Sequence, residues 1–276
     1  MVHIKLLIFA LATQVIFCAS ILAYGGITSV PFIVFGICQW IPGSIAIAAS
    51  PQFRKNMHSY LRTFPMEETL VGIFLAITLV VFSAGLAAHQ ISAGVNWDAS
   101  AIKNYRLIDI LPLHAWNWPI YLSYLLVFAP ILHVFNAATE EFLWRGALLD
   151  SLLERFGKGT AIVLSGLYWG VWHVPMVVLL GWVFPEQPVY GSIIFSLSLT
   201  AWGAVMAILR LRSGSLWPPI AMHAALNAWI IGYHDVLFPR QMSPWFGPWG
   251  VLGCSVAIVV IFAMYLRGYA VHKVAQ

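Results

Sequence analysis

Residues 137–146 have the sequence AATEEFLWRG, in which Glu140, Glu141 and Arg145 interrupt a long apolar run. The run extends over roughly 118–154 and predicts a membrane-embedded helix. An ionisable side chain at bilayer depth costs about 2.5 kcal/mol or more on insertion scales. Two adjacent carboxylates also repel each other. A chain that keeps such a pair is expected to use it, so these glutamates are the first candidates for a chemical function.

The composition supports a membrane protein throughout. Of the 276 residues, 61% are hydrophobic and only 9% are charged, whereas soluble domains carry about 25% charged residues. We therefore predict an all-α, polytopic integral membrane bundle that forms a single domain over 1–276. The net charge of +4 comes from scattered basic residues, which do not indicate a nucleic-acid surface. Cys18, Cys38 and Cys254 lie in apolar segments, without the spacing of a disulfide framework or a metal site.

Segments of about 20 mostly apolar residues predict transmembrane helices. The segment 118–154 is too long for one simple span, and Pro130 is expected to kink or interrupt it. The predicted catalytic core is about 118–237. Eight spans are predicted: roughly 4–24, 27–49, 68–91, 118–154, 159–180, 190–210, 215–237 and 248–267.

The basic residues predict how these spans are oriented. If the N-terminus is cytoplasmic, most Lys and Arg residues fall on the cytoplasmic side, as the positive-inside rule requires. The pattern supports eight spans with both termini in the cytoplasm of a cell-membrane protein. The inside residues are Lys5, Arg54, Lys55, Arg62, Arg155, Lys158, Arg210, Arg212, Arg267 and Lys273, and the outside residues are Lys103, Arg106 and Arg240.

Three short motifs on predicted membrane helices carry polar groups four residues apart. Residues at this spacing share one helix face, so Glu141 is expected to pair with Arg145 while Glu140 points elsewhere. The second motif is WGVWH at 169–173. The third, HAALN at 223–227, places a histidine and an asparagine on one face.

A register argument brings these motifs to one level. Glu140 lies 15 residues before Arg155, and His173 lies 15 residues after Lys158, on the two sides of a predicted turn. At 1.5 Å per residue, both lie about 22 Å from that turn. Asn227 lies 15 residues after a further basic residue at 212. We therefore expect Glu140 to meet His173 across the hairpin.

Such a set of side chains suits hydrolysis. A carboxylate can take a proton from water while a histidine orients that water. An asparagine and a second histidine can donate hydrogen bonds to a developing oxyanion. A zinc site formed by His173, His223 and Glu140 is the alternative, but the His-Glu-x-x-His helix that favours zinc does not occur. The prediction is a metal-independent enzyme without cofactor. His133, on the same apolar run, is expected to be structural.

The ordered motifs resemble those of the CPBP family of CAAX prenyl proteases, which includes the Ras-converting enzyme and bacteriocin-processing relatives. The family pattern is Glu-Glu-x-x-x-Arg, then an aromatic residue with His four residues later, then His-x-x-x-Asn. The resemblance covers about 118–237. The matching residues are Glu140, Glu141, Arg145, His173, His223 and Asn227.

The resemblance implies an intramembrane endopeptidase that acts on lipidated or membrane-associated peptides and opens to the cytoplasm and the bilayer. The family commonly has Phe four residues before the second-motif histidine, where this chain has Trp169, a departure that is expected to alter pocket shape without removing the chemistry. The implied roles are Glu140 and His173 to activate water, His223 and Asn227 to stabilise the oxyanion, and Glu141 and Arg145 to support the site.

The rival interpretation is a transporter that uses the buried glutamates as a proton or cation site. Transporters often contain inverted repeats and paired broken helices, and the sequence has no such internal symmetry. A cation site also has no use for oxyanion donors. A third alternative is a non-catalytic membrane adaptor that keeps the fold.

Overall fold

The computed structural model describes residues 2–26, 39–90, 118–229, 244–245 and 247–268. Within these ranges the protein is helical and contains no β-strand, which confirms the predicted all-α class. In chain order the α-helices are α1 (Val2–Ala23), α2 (Ile41–Ala49), α3 (Pro51–Arg62), α4 (Met66–Gln90), α5 (Trp118–Ser123), α6 (Ala129–Glu141), α7 (Leu149–Leu153), α8 (Lys158–Leu180), α9 (Pro188–Ser213), α10 (Trp217–Trp229) and α11 (Val251–Leu266).

Within the described residues, fewer candidate membrane spans are found than the predicted eight. Four helical stretches in the described ranges are long and apolar enough to cross a bilayer, and a pair bent by 92°, Pro51–Arg62 with Met66–Phe82, raises the number to five. The helices α2 and α11 have 9 and 16 residues, fewer than the roughly 20 that a span needs. The helix α10 is described over 13 residues, up to the end of the described range at 229. The four stretches are His3–Ala23, Leu126–Leu153, Lys158–Leu180 and Pro188–Ser213.

Some predictions fall outside the described residues. The beginning of the predicted span 27–49 and the end of 215–237 are among them, so the catalytic core is described only as far as 229. The others concern Cys38, Lys103, Arg106, Arg240 and Lys273.

The overlong helix is not interrupted at Pro130, which was one of the two predicted effects, and a kink at this residue stays a prediction. The chain stays helical from 118 to 153, because a π-helical segment, Tyr124–Phe128, comes immediately before the proline turn. Proline cannot donate a backbone hydrogen bond to the preceding turn. The N–H of Ala129 instead reaches back five residues to the carbonyl of Tyr124. This wider turn accommodates the proline.

The helix α3 is not among the predicted spans, since it is polar and short. Ser50 caps its first turn by accepting a hydrogen bond from the N–H of Phe53, at 3.2 Å, and Pro51 occupies the first helical position. Both features are typical of a helix N-terminus.

Small residues allow α8 and α9 to approach closely. A Cβ atom added to Gly166 would lie 2.5 Å from the carbonyl oxygen of Thr200, and one added to Gly170 would lie 2.6 Å from that of Ser196. Glycines at such positions let helix backbones pack together inside a membrane. This packing fixes the position of α8, the helix that carries the second motif.

A polar cluster, which we name the Asp150 cluster (Tyr60, Asp150 and Arg210), joins α3, α7 and α9. Tyr60 donates a hydrogen bond to Oδ2 of Asp150 at 2.7 Å, and Arg210 pairs with Oδ1 at 2.6 Å. The guanidinium of Arg210 also lies over the Tyr60 ring, 4.5 Å from its centroid. The cluster therefore satisfies both carboxylate oxygens of Asp150.

Candidate active site

The first motif forms a buried cluster, which we name the glutamate site (Glu140, Glu141 and Arg145). Glu141 and Arg145 are fully buried, and Glu140 is 5% exposed. The expected pair is present: Nη1 of Arg145 lies 2.7 Å from Oε1 of Glu141. A π-helical segment, Phe142–Leu148, begins directly after the two glutamates. Segments of this kind often occur at functional sites.

His223 on α10 contacts the same carboxylate oxygen. Its Nδ1 lies 2.8 Å from Oε1 of Glu141, so this oxygen receives both an arginine and a histidine. A carboxylate that is ionised can only accept hydrogen bonds, so Nδ1 of His223 carries a proton. Glu141 therefore ties the first motif to the third.

Glu140 has a different partner. Its Oε2 accepts a hydrogen bond of 2.8 Å from the indole N–H of Trp169, one helix away on α8. The prediction that Glu140 meets His173 directly is not confirmed, because the described residues show no hydrogen bond between them. Trp169 lies one turn before His173 on the same helix face, and its indole N–H donates to the carboxylate instead.

His173 is held by the backbone and by aromatic rings. Its Nδ1 lies 2.9 Å from the carbonyl oxygen of Trp169, which can only accept, so Nδ1 carries the proton. In the neutral ring the other nitrogen, Nε2, is then the acceptor. The ring of Trp182 stacks on His173 at 5.9 Å and 17°, and that of Trp172 meets it edge-on at 4.7 Å.

Four predicted catalytic residues, from three helices, line one cavity of about 70 Å³. They are Glu140, His173, His223 and Asn227. A water molecule needs roughly 10–15 Å³ of such space, so the cavity has room for several. His133 is not among its lining residues. The remaining lining residues are Gln14, Phe17, Gln39, Trp169, Trp172, Met176, Trp182, Phe195, Leu199 and Trp249.

Two features of this cavity lie outside the predicted set. Gln14 and Gln39 line it from the N-terminal part of the chain, away from the three motifs. The signal for Gln14 is a single amide in an otherwise apolar helix. The bond from Trp169 to Glu140 has a weaker signal, since a tryptophan in a membrane helix usually indicates packing or an interface anchor.

The choice between a zinc site and a metal-independent site stays a prediction. Among the residues that the structure describes, no three His, Cys, Asp or Glu side chains are arranged to hold a metal ion. Nδ1 of His223 contacts Glu141, and Nδ1 of His173 contacts a backbone carbonyl. Histidines that bind zinc commonly donate one ring N–H to such oxygens, so these contacts leave Nε2 of each ring available and do not decide between the two alternatives.

Comparisons with known proteins agree with the motifs. Residues 121–229 match the family described as type II CAAX prenyl endopeptidase Rce1-like. A relative from Methanococcus maripaludis, CAAX prenyl protease 2, is 28% identical over 174 residues. The match covers 60% of this chain and 55% of the relative, so it spans about half the length of that protein. The resemblance predicted from the motif order is confirmed.

Proposed function

Because residues 121–229 match the type II CAAX prenyl endopeptidase Rce1-like family, we propose that this chain is an intramembrane endopeptidase that hydrolyses peptide bonds of membrane-associated substrates. Prenylated CAAX peptides are the first candidate substrates, because the related proteins carry that name. The observation that supports the proposal best is the convergence of Glu140, His173, His223 and Asn227 on one cavity.

Glu140 is the proposed general base. Its Oε2 is engaged by Trp169, and no described residue hydrogen-bonds to its Oε1. The free oxygen can accept a proton from a water molecule in the cavity. His173 presents Nε2 as an acceptor and so orients the same water. Proton transfer of this kind contributes roughly 10²–10⁴-fold to a rate.

His223 and Asn227 are the proposed oxyanion donors. The amide of Asn227 donates in any protonation state. His223 already donates from Nδ1 to Glu141, so it can donate from Nε2 only as an imidazolium. Glu141 holds this donor through the contact with Nδ1, and Arg145 holds Glu141, so both support the donor without touching substrate.

The reaction is proposed to be metal-independent. Glu140 takes a proton from the attacking water and returns it to the leaving amine as the C–N bond breaks. With His173 orienting the water and with His223 and Asn227 as oxyanion donors, the proposed hydrolysis balances without a further group. Full cleavage activity in the presence of a strong chelator is the expected result. Loss of activity in the chelator, restored by zinc, would contradict the metal-independent proposal.

The deciding experiment is cleavage of a farnesylated CAAX peptide by the purified protein in liposomes. We expect cleavage by the wild type and loss of cleavage in Glu140→Ala and His173→Ala. Cleavage that survives Glu140→Ala would overturn the mechanism. Cleavage of other membrane peptides but not of prenylated ones would keep the endopeptidase and reject the CAAX substrate.

The orientation with both termini in the cytoplasm is also a proposal. The positive-inside distribution supports it. A cysteine introduced at Lys103 is expected to react with an impermeant thiol reagent added outside intact cells. Reaction only after the membrane is opened would contradict this topology.

A further inference from the structure

We propose that Trp169 is a positioning residue, which holds Glu140 in the orientation that proton transfer requires. The inference rests on the proposed function, since it assigns a supporting residue to the same base. A phenylalanine, which the family commonly has at this position, has no N–H and cannot perform the role.

One indole contacts four groups of the site. Its N–H donates to Glu140 at 2.8 Å, and its ring meets those of His173 at 5.9 Å and His223 at 5.1 Å edge-on. The guanidinium of Arg145 lies over its face, 4.4 Å from the centroid. Trp169 is itself 1% exposed, so surrounding packing restrains the ring. Because the indole is restrained, its hydrogen bond holds the flexible carboxylate of Glu140 in one position.

The hydrogen bond from Trp169 also keeps Glu140 away from Arg145. In the described part of the chain, Nε and Nη2 of Arg145 are buried and have no hydrogen-bond partner. Buried donors of this kind are costly and attract any available acceptor. Glu140, five residues earlier on the same helix, is such an acceptor. The bond to Trp169 keeps the carboxylate of Glu140 at the cavity, away from the unsatisfied guanidinium.

The bond also decides which oxygen of Glu140 is available to water. The N–H engages one oxygen and leaves the other for the reaction. Loss of the N–H is therefore expected to lower kcat. KM for the peptide should change little, because this N–H binds Glu140 and not the substrate.

The test replaces Trp169 by 3-benzothienylalanine, which keeps the two fused rings and substitutes sulfur for the N–H. With the farnesylated CAAX peptide in liposomes, we expect kcat to fall roughly tenfold or more, KM to stay within about twofold, and the unfolding temperature to stay unchanged. Trp169→Phe is expected to lower kcat in the same direction, with an added packing loss.

The matched control is the same replacement at Trp202. This indole is fully buried on α9, and its N–H has no hydrogen-bond partner in the described ranges. It does not line the cavity. We expect kcat and KM of the variant replaced at Trp202 to stay within about twofold of the wild type. An equal loss at both tryptophans, or a kcat within twofold at Trp169, would overturn the inference.

A spectroscopic measurement tests the hydrogen bond without catalysis. The ultraviolet resonance Raman band that reports indole N–H bonding is compared between the wild type and Glu140→Ala, with Trp169→Phe to assign it. We expect the Trp169 signal to lose its hydrogen bond in Glu140→Ala, and an unchanged signal would overturn the inference. Absence of any wild-type cleavage overturns the proposed function and the positioning role with it. Cleavage that needs Glu140 but not the N–H overturns this inference alone.

Discussion

The glutamate site and the Asp150 cluster are built alike, and only one of them borders the cavity. In each, an arginine pairs with a carboxylate, at 2.7 Å for Arg145 with Glu141 and 2.6 Å for Arg210 with Asp150. In each, the guanidinium lies over an aromatic ring at a similar distance. A buried ion pair on a membrane helix is therefore not by itself a sign of catalysis.

The two sites differ in how many buried polar atoms lack a hydrogen bond. Both oxygens of Asp150 are bonded within its cluster, where among the described residues Nε of Arg210 is the one buried atom without a partner. In the glutamate site, Oε2 of Glu141 and two nitrogens of Arg145 have no partner among the described residues. A second carboxylate, Glu140, is added beside the pair and lines a cavity with two histidines. Excess polar groups and space for water, rather than the ion pair, distinguish the candidate active site.

The largest expected effect concerns the arginines. Arg145→Gln removes the arginine from the buried pair with Glu141, and removing one partner of a buried pair costs about 3–5 kcal/mol. Arg210→Gln should cost less, about 1–3 kcal/mol, because the Arg210 and Asp150 side chains are 9% and 15% exposed and water can replace part of the pair. Unfolding in detergent micelles measures both, and equal losses would remove the contrast.

The second-largest expected effect concerns the side chain that, besides the arginine, donates a hydrogen bond to each carboxylate. His223→Ala removes a proposed oxyanion donor and is expected to lower kcat roughly 10²–10³-fold. Tyr60→Phe removes the comparable bond to Asp150 and should leave kcat within about twofold. Peptide cleavage in liposomes measures both variants. A similar loss in Tyr60→Phe would mean that the Asp150 cluster also takes part in the reaction.

The smallest expected effect concerns the helix packing next to Arg145. A Cβ at Gly203 would lie 2.7 Å from the Cα of Gly166 and 2.8 Å from Nη2 of Arg145. Overpacking of this kind costs about 1–3 kcal/mol, so Gly203→Ala should lower the unfolding free energy. Gly159→Ala is the control, since nothing lies within 4 Å of its added Cβ. Equal stability of the two variants would show that α8 and α9 can move apart at little cost.

Local patterns predicted the parts of the site that depend on one helix. The i,i+4 spacing of Glu141 and Arg145 is confirmed as an ion pair, because helix geometry alone brings these residues together. Equal distances from the turn at 154–157 placed Glu140 and His173 at one level, and both line the cavity. Composition alone was enough to predict the all-α class, because a chain that crosses a bilayer has few alternatives to the helix.

Features that depend on several helices were not predictable. The bond of Trp169 to Glu140 requires the rotation of α8 relative to α6, which no spacing within one helix specifies. Hydropathy suggested eight full spans, whereas α2 and α11 are too short in the described ranges. The π-helical turn that accommodates Pro130 depends on a hydrogen-bond choice that the residue types do not determine.

The central claim is that two glutamates adjacent in sequence have different roles, Glu140 as the base and Glu141 as the support. The most direct measurement is kcat together with the unfolding free energy of Glu140→Gln and Glu141→Gln in one liposome preparation. We expect Glu140→Gln to lose at least roughly a hundredfold in kcat with little change in stability, because the amide oxygen still accepts from Trp169. Glu141→Gln should lose about 3–5 kcal/mol of stability. Retained kcat in Glu140→Gln, or the same changes in both variants, would contradict the claim.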